Sequence, residues 1–369
     1  MSFVSFVVNA FYLNQKPVQH TVDQFAQVIR KARARKQPLR IRGGGTKDFY
    51  GGELTGDVLD TKTYSGIVEY EPTELVITAR AGTPIAEIEA AMRERGQMLG
   101  FEPPHFGDSS TLGGCIAAGL SGPRRPHAGS ARDLVLGVRM LDGKGSDLRF
   151  GGQVMKNVAG YDVSRLMVGS MGTLGMLLEV SMKALPIPAS ETTLCRENSP
   201  GEAIELMNDF AGKPLPITAT CYVENRLYIR LSGAEPAVRA ALGKLGGEEV
   251  RDGRAFWKQV RDHQLDFFRA DQVLWRISLK STSPPLPLPG TQLLEWNGAL
   301  RWLDSDAEAS VIRDAATRLG GHATLFRARN KSAGVFHPLG PALLKLHRRL
   351  KGTFDPDGIL NRGRMYSEF

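Results

Sequence analysis

The chain has 369 residues, 42 % apolar and 23 % charged, with a formal net charge of +8. These totals exclude a disordered or fibrous chain and point to about two globular domains. The three cysteines, Cys115, Cys195 and Cys221, lie far apart with no CxxC, which excludes an encoded iron–sulfur or zinc-ribbon site and a disulfide framework.

The opening "MSFVSFVVNAFYLNQK" has no basic region or cleavage site of a secretory signal and reads as a packed or frayed amino-terminal segment. No apolar run reaches membrane-spanning length. Val22, Phe25, Ala26, Ile29 and Ala32 repeat at helical spacing over 21–36, and Pro38 ends that helix. "LRIR" then reads as a strand running into Gly43-Gly44-Gly45, and "GDVLDTK", "IVEYEP" and "LVITARAG" read as further strands. The helix "TPIAEIEAAMRERG" is expected to have Thr83 as its cap, Pro84 at its first position and Gly96 as its stop.

A Gly/Ser-rich stretch, "FEPPHFGDSSTLGGCIAAGLSG", follows, then the hairpin "LVLGVRMLDGKGSDLRFGG". "NVAGYDVSRLMVGSMGTLGMLLEVSMKALP" reads as a short helix, a turn and a strand. Pro186 and Pro188 mark a boundary. Helices and strands alternate from there to about 335, with "TSPPLPLPG" as a stiff connector. A last helix, "PALLKLHRRLKGTF", leads to "DPDGILNRGRMY". Residues 1–186, 190–335 and 340–369 are the expected units, the last returning to the first.

"GGGTK" (Gly43, Gly44, Gly45, Thr46, Lys47) invites a phosphate, because successive N–H groups without side-chain obstruction form an anion-binding nest. A P-loop fails on order, since Lys47 follows Thr46 rather than a glycine. A Rossmann turn fails because no helix follows. An extended flavin dinucleotide needs several glycine-rich segments along one cleft. The chain supplies "GGGTK", "STLGGCIAAGLSG", "HAGSARD" and "GSMGTLGMLLEV", all before residue 181.

With "GFEPPHFGDSSTLGG", "AAGLSGPRRPHAGSARDLVLG" and "KNVAGYDVSRLMVGSMGTLG", this set resembles the FAD-binding fold of vanillyl-alcohol oxidase and p-cresol methylhydroxylase over about 20–186. The resemblance resumes at "FHPLGPALLKLHRRLKGTFDPDGILNRGRMY", and within the superfamily the chain looks like the small FAD-binding E subunits of glycolate oxidase complexes. The resemblance implies an α+β fold: a two-subdomain FAD-binding unit, a smaller α+β cap and a carboxy-terminal return. It implies FAD contacts at Gly43, Gly44, Gly45, Thr46 and Lys47, at Thr111, Gly113, Gly114, Ala117 and Gly119, and at Gly129, Asp133, Gly175 and Met176. The first loop holds no His, and His105 lies outside the usual attachment spot, so the FAD is expected to be non-covalent. Arg362 stands where the family's closing motif has Pro, with Asn361 beside it able to reach toward the flavin.

Oxidising a 2-hydroxy acid requires a base and a cation for the carboxylate. Arg327, Arg329 and His337 are the chosen candidates; His322, Arg124, Arg125, Tyr161 and Asp162 are further options. The metal motif H-x-G-D-G-N-x-H of the larger, related D subunits and the D-lactate dehydrogenases like them is missing, so no metal is expected. The resemblance implies a D-type FAD subunit and an iron–sulfur subunit as partners, and a small 2-hydroxy acid such as glycolate as substrate. It also implies quinone downstream, a cytoplasmic location, and contact with the inner membrane face through partners; no nucleic acid is expected. A self-sufficient oxidoreductase and a non-catalytic flavin scaffold stay open as alternatives.

Overall fold

A computed structural model describes residues 3–152, 162–269 and 273–369, with the backbone alone for 3–18. The first helix runs from Phe3 to Arg35, longer than the expected 21–36. The strands of the amino-terminal half are β1 (Leu39–Arg42), β2 (Asp57–Asp60), β3 (Ile67–Glu71), β4 (Val76–Arg80), β5 (Gln97–Met98), β6 (Val135–Leu141), β7 (Asp147–Gly151), β8 (Met176–Lys183) and β9 (Leu185–Pro186). Five of them make an antiparallel sheet in the order β3-β4-β8-β6-β7, while β1 and β2 pair in parallel.

Side chains alternate across the sheet, so each face builds its own core. One face packs Ile77, Val138 and Val180 under the helices Ile85–Arg93 and Leu112–Ala118. The other packs Leu141, Met176 and Leu178 against Val22, Phe25 and Ile29 of the first helix. Thr83 does not cap the helix Ile85–Arg93; Pro84 holds the cap position, and the Thr83 hydroxyl takes the Gly66 N–H at 2.9 Å. A tertiary bond has outcompeted the local one.

The second half adds β10 (Ser190–Glu197), β11 (Ile217–Val223), β12 (Arg226–Gly233), β13 (Glu248–Glu249), β14 (Leu274–Ser278), β15 (Thr291–Glu295), β16 (Leu300–Asp304) and β17 (His322–Arg327). They form one antiparallel sheet, β13-β10-β12-β11-β15-β16-β14-β17. The helices Pro200–Ala211, Glu235–Leu245 and Ala309–Arg318 cover its outer face. Its inner face, with Leu274, Leu293, Trp302 and Phe326, packs on Tyr50, Leu120 and Met171 of the first half.

Arg301 is fully buried and clamps the Pro-rich connector: its guanidinium donates to the carbonyls of Gly298 (3.1 Å), Pro284 (2.5 Å) and Ser283. Arg301→Met leaves three carbonyls without a donor. It should cost about 2–4 kcal/mol in urea unfolding.

The chain then returns. The helix Pro341–Phe354 ends against β7, and residues 359–361 lie parallel to β1, with Leu39 N–H donating to Ile359 O and Asn361 N–H to Leu39 O. Among the described residues no helix is long and apolar enough to cross a membrane.

Candidate functional site

At the end of β1 the chain turns through Gly43–Lys47 into a cleft of about 810 Å³. Among the described residues the backbone N–H groups of Gly43, Gly44, Gly45, Thr46 and Lys47 have no protein acceptor. Five neighbouring donors left open beside a cleft are a site for an anion. Two crossings fix the loop. A Cβ on Gly44 would lie 1.5 Å from Ser109 O, and one on Gly43 would lie 2.2 Å from Thr111 Oγ1. Ser109 Oγ also donates to Gly44 O at 3.0 Å.

The Lys47 ammonium is buried and occupied. It donates to Ser110 Oγ (2.9 Å) and His105 O (3.3 Å), and burial lowers its pKa. Lys47 therefore braces the cleft, its ammonium spent on protein acceptors and its backbone N–H left open. The sequence reading missed Arg364. It is 5 % exposed and donates to the carbonyls of Gly52, Lys47 and Asp48. Burial brings its pKa to about 10, so it stays cationic at neutral pH. Asn361 lines the cleft, but both ends of its amide are taken. Its oxygen accepts from Ile41 N–H (2.7 Å), and its nitrogen donates to Met171 O (2.6 Å).

Thr111, Gly113, Gly114, Ala117 and Gly175 also line the cleft. Gly119, Gly129, Asp133 and Met176 sit elsewhere. Gly119 ends the helix Leu112–Ala118 at φ 65 against Gly169, and Gly129 closes a short turn at φ 88. Asp133 accepts from Ser130 N–H and Oγ, both at 2.8 Å. Met176 packs under the first helix. No His, Cys or Tyr is among the described lining residues, and the His105 ring sits 3.2 Å from Glu89.

The three catalytic candidates are not gathered in one place. Arg327 donates to Phe268 O (2.9 Å) and lies over Phe49 where the two halves meet. A register shift at Leu274 and Trp275 of β14, which pair with Arg327 and Leu325 and skip Phe326 of β17, turns it to that side. Arg329 is exposed. His337 lies against the outer helix, its Nδ1 accepting from Ala323 N–H (3.3 Å) and its Nε2 3.4 Å from Thr317. His322 is an exposed residue of β17. Arg124 is spent in a buried network: it pairs with Glu102 (3.2 Å) and Glu191 (2.9 Å), and Arg230 joins Glu102 at 2.9 Å. Burial pushes the Glu102 carboxyl up, but Arg230 and Arg124 outweigh this and hold it below its ordinary value. Arg125 lies over Trp296 at 4.3 Å, Asp162 caps the helix Val163–Met167, and Tyr161 lies outside the described residues. Among the described residues no three His, Cys, Asp or Glu side chains converge on a metal position.

Between the halves lies a second polar group that the sequence reading did not single out: His263, Arg276 and Glu295, among Phe106, Trp302 and Phe326. Glu295 is 3 % exposed and accepts from Trp302 Nε1 at 2.8 Å. Burial raises its pKa from 4.5 to about 7 against the pull of that bond and of Arg276. A raised carboxyl pKa favours the fold below pH 4.5, and that benefit is lost as pH rises through 7. Glu295→Gln should therefore match the parent near pH 4.5 and exceed it by roughly 3 kcal/mol at pH 8, read from urea midpoints. Equal stability at both pH values would reject this.

Comparison with known proteins adds the family. The FAD binding domain family matches residues 18–151, and the FAD linked oxidases C-terminal domain family matches 329–365. Glycolate oxidase subunit GlcE of Escherichia coli is 53 % identical over 340 residues, 92 % of this chain and 96 % of the relative. The chain belongs to the glycolate oxidase E-subunit family. FAD is its cofactor, and it is an FAD-linked oxidoreductase.

Glycolate oxidase subunit GlcD of Bacillus subtilis is 32 % identical over 201 residues, 53 % of this chain but only 42 % of that longer relative. p-Cresol methylhydroxylase shares the fold, with a TM-score of 0.68 at 15 % identity over 94 % of this chain and 88 % of its own. Alkyldihydroxyacetonephosphate synthase has a TM-score of 0.64 at 15 % identity, covering 92 % and 74 %. The cleft suits FAD on its own terms. Five open N–H donors face a diphosphate-sized need, and the loop crossing at Gly43 and Gly44 tolerates no side chain.

Proposed function

We propose that this chain is the FAD-binding subunit of a complex that oxidises glycolate to glyoxylate and passes electrons to a D-type FAD subunit, an iron–sulfur subunit and then quinone. The single observation that carries the reading is the match to the E-type relative, which runs over nearly the whole of both chains. Bound FAD supplies the acceptor for the two electrons and the hydrogen that leave the hydroxyl-bearing carbon. The N–H groups of Gly43 to Lys47 hold the pyrophosphate. Thr111, Gly113, Gly114, Ala117 and Gly175 flank the rest, and Arg364 adds a fixed positive charge behind the loop. The described lining residues include no His, Cys or Tyr, which supports a non-covalent attachment.

The aromatic wall of Tyr50, Phe106, Trp302 and Phe326 keeps bulk water from the junction. That tight packing favours a relay role over a wide substrate chamber. The complex works in the cytoplasm, and any hold on the inner membrane face comes through its partners.

The test is flavin bleaching. The chain purified alone should carry FAD and stay oxidised with glycolate, and should bleach once the D-type and iron–sulfur subunits are added. A chain that takes up no FAD on purification or refolding sinks the reading. Bleaching of the chain alone makes it a self-sufficient dehydrogenase instead.

A further inference from the structure

From Arg327 to Phe354 the chain carries seven Lys and Arg side chains and no carboxylate. Two of the seven turn inward, Arg327 to Phe268 O and Lys351 to Asp355. Lys331 is spent on Phe49 O (2.6 Å) and Gly51 O (2.8 Å). The other four, Arg329, Lys345, Arg348 and Arg349, are exposed, and Arg362 joins them from the closing segment. Among the described residues Lys345, Arg348, Arg349 and Arg362 have no carboxylate within ion-pair reach. On the helix Pro341–Phe354 the buried Lys351 and Phe354 mark the inner face, and Lys345, Arg348 and Arg349 lie on the opposite one. Leu343 and Leu346 stand beside them, 53 % and 51 % exposed. A single exposed leucine is ordinary, but two within one turn, flanked by unpaired cations, make an interaction patch.

The helix borders a groove of about 760 Å³ through Leu344. Phe336, Met365 and Tyr366 line the groove, and its charged lining is Arg329, Lys331 and Arg362 against Glu53 and Glu368. One thickness of chain divides it from the nucleotide cleft. Leu54, Asn361 and Arg364 line the cleft, while their neighbours Glu53, Thr55, Arg362 and Gly363 line the groove. A protein seated here stands one chain thickness from the FAD cleft, as electron transfer asks of a partner.

We propose that this groove and the basic helix face together dock an acidic, apolar-centred surface of the D-type subunit. The charge of the face sets the sign of its occupant. A second copy of this chain would bring like charge against like. A bilayer surface is flat and would leave the groove empty, whereas a protein can fill it. The acidic occupant follows from the face; its being the D-type subunit rests on the function proposed above, in which that subunit takes electrons from this flavin.

Interferometric titration of the FAD-loaded chain with purified D-type subunit reads the contact without turnover. The parent should bind, and a tenfold rise in ionic strength should weaken it about tenfold. Arg348→Glu with Arg349→Glu should weaken it about 100-fold with flavin content unchanged. Leu343→Ser with Leu346→Ser should weaken it about tenfold and keep the salt dependence. Lys244→Glu with Arg254→Glu, at exposed cations of the second half, makes the same change in net charge and should leave the affinity unaltered. No binding by the parent, unchanged binding by the arginine variant, or an equal loss in the control pair overturns the face. Loss of binding to phosphatidylglycerol vesicles in the arginine variant, with D-type affinity unchanged, assigns the patch to a membrane and overturns it as well. If the arginine variant loses the D-type subunit but the assembled parent complex does not oxidise glycolate, the proposed function falls and the docking face stands. If the arginine variant binds that subunit as the parent does and its complex oxidises glycolate, the function stands and this face falls.

Discussion

Gly44→Ala is expected to give a chain that purifies without flavin. The new methyl carbon would lie 1.5 Å from the Ser109 carbonyl oxygen, inside the distance any real Cβ tolerates. The obstacle is backbone, so no rotamer change relieves it. The Ser109 stretch is itself anchored, with Ser110 N–H donating to Gly107 O (3.2 Å) and Ile85 N–H to Ser110 O (2.9 Å). One loop must move by more than an ångström, and it carries either the open N–H donors or the facing wall of the cleft. We expect at least about a tenfold loss of FAD affinity and a stability cost of about 1–3 kcal/mol. The measurement is the ratio of flavin to protein absorbance after gel filtration. Gly201→Ala, where an added Cβ meets nothing within 4 Å, is the control and should keep its flavin. A fully loaded Gly44→Ala chain rejects the crossing as a requirement.

The second large effect lies at the carboxy-terminal return. Lys351 is 4 % exposed and its ammonium donates to Asp355 Oδ2 (2.7 Å), Thr173 O (2.8 Å) and Leu360 O (2.9 Å). Asp355, 1 % exposed, accepts from the N–H groups of Ile359 (3.2 Å) and Leu360 (2.8 Å). This pair fastens the last stretch to the sheet. Lys351→Met strands a buried carboxylate and should cost about 3–5 kcal/mol. The double variant Lys351→Met with Asp355→Asn should recover part of the loss, because no unpaired charge remains. Urea unfolding of the four proteins gives the coupling. Flavin content should fall with the single variant, since Asn361 and Arg364 are carried on the loosened segment. Additive effects in the double variant would rule out the pair as a unit.

Much of the cleft was legible because local chemistry there agrees with the fold. A strand ending in three glycines has few uses, and the later glycine segments repeat the demand for close backbone approach. Gly175 and Met176 show the limit of that reasoning. Successive residues of extended chain point to opposite faces, so Gly175, just before β8, meets the cleft while Met176, its first residue, turns into the core beneath the first helix. Arg327 and His337 belong to one quoted stretch, yet a register shift in β17 sends Arg327 inward while His337 packs outside on Thr317.

The junction residues were harder to see. His263 follows a helix, Arg276 sits in β14 and Glu295 ends β15. Only the antiparallel register through Trp302, opposite both Arg276 and Leu293, draws the strands' inward rows together. The available signal was a single Arg within "VLWRISLK" and a single Glu within "LLEW", each a charge where a core-facing strand has no ordinary use for one. Arg364 gave no local sign, because its acceptors are carbonyls of residues near the other end of the chain.

The return of residues 359–364 onto β1 also sets an order of events during synthesis. The N–H loop emerges from the ribosome early, whereas Asn361 and Arg364, which brace it, emerge only after the whole eight-stranded sheet. The amino-terminal half can begin to collapse first. Its nucleotide cleft lacks the braces from Asn361 and Arg364 until translation has passed them, so a ribosome stalled before those codons displays a loop with its donors exposed and its clamp unmade.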